Sequence, residues 1–148
     1  MPKRLKNGGG WGEAMTRANY EDECDGWALI RWRGAVNASI KGKRGQKLLH
    51  ELATGMDAMP AKRLIANELV TAGDFCALGV VGLKRGLDMA EIDPEDSAEV
   101  AKQFDIADAL AREIVFVNDE LGPWKGETPE QRWVRVRAWV ASNTVATH

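Results

Sequence analysis

Residues 105–120, DIADALAREIVFVNDE, set Ile106, Leu110, Ile114 and Val117 at intervals of four, four and three. That recurrence puts the four side chains on one face of a helix. Downstream, GPWKG at 122–126 reads as a loop. Thr128, Pro129 and Gln131 then supply a cap, a proline at the first helical position and a glutamine at the third, the pattern of a capping box. Trp133, Val136 and Val140 mark the inward side of that last helix, which leaves Arg132 and Arg135 turned outward. Upstream, Asp93-Pro94 reads as a cap and first helical position ahead of PEDSAEVAKQF.

The N-terminal half follows the same period. Over 26–41, Leu29, Trp32, Val36 and Ile40 share one side, while Arg33, Asn37 and Lys41 lie on another. Asp25 is the expected cap, and Gly42 the expected stop. After the turn GKRG, a second helix is expected over 46–58, with Leu48, Leu49, Leu52 and Met56 inward and Pro60 past its end. Residues 63–70 leave room for one short β element before a turn at Ala72-Gly73. Asp74 is placed to cap a helix over 75–85, with Gly86 just beyond it. Val80 and Val81 among glycines are also compatible with a buried strand. The expectation is a mainly α, compact single-domain bundle of five to six helices over 25–142. A flexible Gly-rich and acidic arm at 1–24 and a disordered tail at 143–148 are expected to flank it.

Composition bounds the function. The chain has 148 residues, 45 % apolar and 28 % charged, which suits one domain with one core. No apolar run is long enough to span a bilayer, and the basic N-terminal stretch MPKRLKNGGGWG lacks the apolar segment of a secretory signal. A cytoplasmic setting and no membrane partner are therefore expected. Cys24 and Cys76 have no metal-type spacing and are expected to be free thiols, with Cys76 a small buried apolar residue.

Net charge is only −2, yet its distribution is uneven. Residues 26–50 hold six Lys or Arg and no acid, whereas 88–108 hold eight acids and one Lys. Two opposed faces of that kind can bind ligands, or each other in a homo-oligomer. Arg31, Arg33, Lys41, Lys43, Arg44 and Lys47 are the candidate phosphate contacts, because such contacts need cations on one side and gain from helix N-termini. Trp32 is either a stacking residue for a base or core with Leu29 and Val36, and the apolar period favours core. Asn118 and Asp119 are candidates for a pocket or for a helix exit, in which Asn118 caps and Asp119 bonds the next loop. Trp124 and Trp139 are candidates for an interaction surface. The chain has no His-x-x-x-His, no Gly-x-Ser-x-Gly and no Walker loop. No cofactor or metal is expected.

The segments IRWRGAVNASIKGKRGQ, FCALG, EIVFVNDE and TPEQRWVRVRAWV resemble small uncharacterised proteins encoded by phages and prophages. The likeness covers residues 28–140. The later part also resembles a wider group of uncharacterised domains with a CALGA segment, an Asn-Asp pair and a Thr-led final helix. The resemblance implies a small protein made by a mobile element in a bacterial cell, and it carries over no catalytic residues. The expected function is non-enzymatic: binding a host protein, or a phosphate-bearing ligand such as a nucleotide or nucleic acid, in a role that can include countering host defence. The alternatives are a small-substrate enzyme with a pocket near Asn118, Asp119 and Cys76, or a self-associating structural protein.

Overall fold

A computed structural model describes residues 26–122 and 126–145. They form six α-helices and one two-stranded hairpin. Helices α1 (Gly26–Lys41) and α2 (Lys43–Ala58) come first, then β1 (Val70–Thr71) and β2 (Asp74–Phe75). They are followed by α3 (Ala77–Arg85), a 3-10 turn (Met89–Glu91), α4 (Ser97–Phe104), α5 (Asp108–Asp119) and α6 (Pro129–Asn143). The mainly α expectation holds. The cap proposed at Asp25 and the arm before it lie outside the described residues.

Helix α2 is the axis of the core. Leu48, Leu49, Leu52 and Met56 are fully buried, and α3 lies along them while α6 packs on another side. Helix α5 packs against α1, α3 and α4, and its Leu110, Ile114 and Val117 are buried as their spacing requires. Gly45 sits where α1 and α2 cross so closely that a Cβ would lie 2.0 Å from the Ser39 carbonyl oxygen, so any side chain there would force the two helices apart. Gln46 ties three elements together. Its amide donates to the carbonyls of Ile40 and Asn143 at 2.7 and 3.0 Å, and its oxygen accepts from the Val145 N–H at 2.8 Å. The tail expected from 143 is thus held as far as 145.

Four local expectations shift. Helix α2 begins at Lys43 rather than 46, which places Lys43 and Arg44 in its first turn. The β element lies at 70–75 rather than 63–70. Ala72 and Gly73, both with positive φ, form the tight turn that suits the twist of paired strands. Asp74 belongs to β2, where it accepts from Arg63 Nε at 2.9 Å, and the cap of α3 is Cys76, whose sulfur accepts from the Gly79 N–H at 3.4 Å. Finally, Asp93-Pro94 forms a turn in which Asp93 accepts from the Glu95 N–H, and Asp96 caps α4. Val80 and Val81 are buried in α3, which settles that segment as helix.

Candidate functional site: the outer face of α1 and the start of α2

Val36 and Ile40 fix the inward side of α1. With 100° per residue, the opposite side presents Trp27, Arg31, Gly34, Ala38 and Lys41, with Ile30 on its flank. Trp27 and Ile30 are 69 % and 62 % exposed, large apolar side chains left in water. From Trp27 to Lys41 the row runs about 21 Å along the helix axis. It then continues over Gly42 into Lys43 and Arg44.

The six cations divide into two sets. Arg31, Lys41 and Lys43 are exposed and make no ion pair among the described residues. The others are partly engaged. Arg33 Nη1 meets the buried Glu113 carboxylate at 3.2 Å, Arg44 Nη1 meets Asp105 at 3.1 Å, and Lys47 Nζ lies 3.6 Å from Glu51. Arg44 and Asp105 remain exposed, so their pair is screened by solvent and holds the guanidinium weakly. This pair also joins the basic and acidic segments within one chain.

The N-terminus of α2 adds a second anion-seeking feature. Its cap residue is Gly42, which makes no side-chain bond to the first turn, and no acid occupies that turn. The first N–H groups of a helix carry partial positive charge and are normally met by a carboxylate or hydroxyl. Here Lys43 and Arg44 add full positive charge at the same end. That placement works against the helix and favours an anion from outside.

The other candidates take structural positions. Trp32 is partly buried against the core, as the apolar period implied, and Trp139 is likewise packed there. Trp124 lies outside the described residues. Asn118 is 2 % exposed and does not cap its own helix. Its Oδ1 accepts from the Ala77 N–H at 3.0 Å, and its Nδ2 donates to the Ile65 carbonyl at 2.8 Å and to Asp119 at 2.7 Å. Asp119 also accepts from the Asn67 N–H at 3.1 Å. These two side chains therefore fasten the loop before the hairpin and the start of α3 to the end of α5. The slot they share with Cys76 encloses about 10 Å³, space for about one water and none for a substrate. Burial pushes the Cys76 thiol up to about 12, which keeps it protonated and a poor nucleophile.

Arg132 and Arg135 were expected to face outward. Instead, both reach back over the end of α5. Arg135 Nη1 donates to the Val117 carbonyl at 2.6 Å and Arg132 Nε to the Asn118 carbonyl at 3.0 Å. Arg135 holds Glu127 through two bonds of 2.6 and 3.0 Å, and this keeps the Glu127 carboxyl below its ordinary range. Sequence reading also missed Trp27 and Ile30. The signal was present: once Val36 and Ile40 define the inward side, Trp27 falls opposite them and Ile30 on the flank, about 100° away.

Among the described residues no group of three or more His, Cys, Asp or Glu side chains is placed to hold a metal, and no helix is long and apolar enough to cross a membrane. No protein-family model, curated protein or solved structure matches the chain.

Proposed function

We propose that this is a non-enzymatic accessory protein, of the kind encoded by phages and prophages, that acts by binding a phosphate-bearing ligand, nucleic acid foremost. The surface concerned is the outer face of α1 and the first turn of α2. One observation carries the reading. Lys43 and Arg44 stand in the first turn of a helix that has no side-chain cap and no first-turn acid. Local helix energetics disfavours that arrangement, and a bound phosphate would reverse its sign. Arg31 and Lys41 extend the positive row along α1, and the exposed Trp27 ring offers a stacking platform for an unpaired base.

A host protein is the second reading, favoured by the exposure of both Trp27 and Ile30 on one apolar spot. Either partner is compatible with a role in countering host defence. The two readings separate by charge. For a nucleic acid, Lys43→Glu and Arg31→Glu each weaken binding and flatten its salt dependence. For a protein partner, Trp27→Ala and Ile30→Ala dominate and salt matters little. Binding to labelled single- and double-stranded oligonucleotides, with the same variants in a host-protein pull-down, distinguishes them.

A further inference from the structure

A separate cavity of about 410 Å³ opens where the end of α2, the loop after it, the hairpin turn and α3 meet. Its size falls within the range of small-molecule sites, about 300–1,000 Å³. No residue of α1 lines it. Met59, Phe75 and Leu83 give it apolar walls, and Leu83 is 60 % exposed beside it, an apolar side chain left in water. Its rim is cationic. Arg63 gives only its Nε–H to Asp74, at 2.9 Å, and its terminal N–H groups make no hydrogen bond among the described residues. Lys84, on the neighbouring helix, makes no ion pair there either. An apolar chamber whose rim carries two cations with donors to spare, against one carboxylate, suits an apolar body that ends in a single negative charge.

We propose that this cavity binds a small amphipathic carboxylate, such as a medium-chain fatty acid or an aryl acid. The apolar part lies against Phe75 and Leu83, and the carboxylate lies between Arg63 and Lys84. Charge-assisted hydrogen bonds from a guanidinium and an ammonium would fix the head group, and burial of the tail would supply most of the affinity.

The test uses the full chain and a fluorescent anilinonaphthalene sulfonate as reporter, displaced by decanoate or by decanol. Decanoate is expected to displace the reporter about tenfold more tightly than decanol, the step expected from a charged hydrogen bond. Lys84→Glu should remove that preference while leaving decanol unchanged, and Ala58→Trp, which fills the chamber from its α2 side, should abolish both. Lys43→Glu, at the opposite end of α2, should change neither. Thermal melts of each variant report the fold, and decanoate should raise the Tm of the unaltered protein. Equal displacement by decanoate and decanol overturns the proposal. So does a preference that survives Lys84→Glu, or one that Lys43→Glu abolishes, since that places the anion on the α1–α2 surface.

Discussion

Two segments of this chain look alike on paper, IRWRGAVNASIKGKRGQ at 30–46 and QRWVRVRAWV at 131–140. Both interleave arginine with tryptophan and valine. In the fold they do opposite things. The α6 arginines are consumed internally: Arg132 and Arg135 satisfy the last carbonyls of α5 and hold Glu127, and Arg137 forms a two-bond pair with Asp57 at 2.9 Å. Around the α1–α2 junction only Arg33, Arg44 and Lys47 find acids, and Arg31, Lys41 and Lys43 find none among the described residues. What separates the segments is the supply of acceptors nearby. A helix C-terminus offers unpaired carbonyls and partial negative charge that arginine meets well. Lys41 also sits at a helix C-terminus, in the last turn of α1, whereas Lys43 and Arg44 stand in the first turn of α2, which holds no acid to meet them.

The comparison breaks most visibly at α6. Arg135→Ala leaves Glu127, whose side chain is 6 % exposed, without its main partner and frees the Val117 carbonyl. The pair is part-buried and Arg132 stays 3.4 Å from Glu127, so the cost lies at the lower end of the about 3–5 kcal/mol for removing one member of a buried pair. The Tm, followed by circular dichroism, should therefore fall by roughly 10 °C. Asn118→Ala should come next. It strips partners from the Ala77 N–H and the Ile65 carbonyl, each a buried or part-buried bond, at about 1–3 kcal/mol. A melting temperature unchanged by Asn118→Ala would remove it from the tether described above.

Acid should act on α6. Arg135 and Arg137 hold Glu127 and Asp57 below the ordinary carboxylate range. A carboxylate depressed in the folded state binds fewer protons there than when unfolded. Its contribution is therefore complete above the unfolded value, about pH 4, and is lost as pH falls through the folded value. Stability measured by denaturant titration should decline below about pH 4, and Glu127→Gln should flatten part of that decline.

The smallest effect is the most discriminating. Lys43→Glu puts an acid where the α2 dipole favours one and disrupts no ion pair among the described residues. The Tm should rise by about 1–3 °C while ligand binding falls. A stabilising substitution that abolishes binding marks a residue retained for its ligand rather than for its fold.

How far the sequence carried this account depends on the distance over which each feature is determined. The α5 period, the buried side of α2 and the Thr128–Gln131 capping box are local, and each appears as its spacing implied. The cap of α3 at Cys76 was missed because Asp74, a better capping residue, pairs with Thr71 in β2, and the helix starts only at Ala77. The roles of Asn118, Arg132 and Arg135 were missed for a related reason. Asn118 bonds Ala77, 41 residues away, and Arg132 bonds Leu64, 68 residues away, and no local pattern encodes such partners. The basic segment at 26–50 was legible because its run of cations without an acid is a property of the sequence itself, although the pairing of Arg33, Arg44 and Lys47 with acids elsewhere was not. Its aromatic member, Trp27, came into view only once the inward side of α1 was fixed.

The central claim is that the α1–α2 cations are held for an outside phosphate. The most direct test measures oligonucleotide affinity across a salt series for the unaltered protein and for Lys43→Glu. The account predicts a linear fall of log affinity with log salt, and a slope shallower by about one for Lys43→Glu. No binding at low salt, or a slope that Lys43→Glu leaves unchanged, would contradict it.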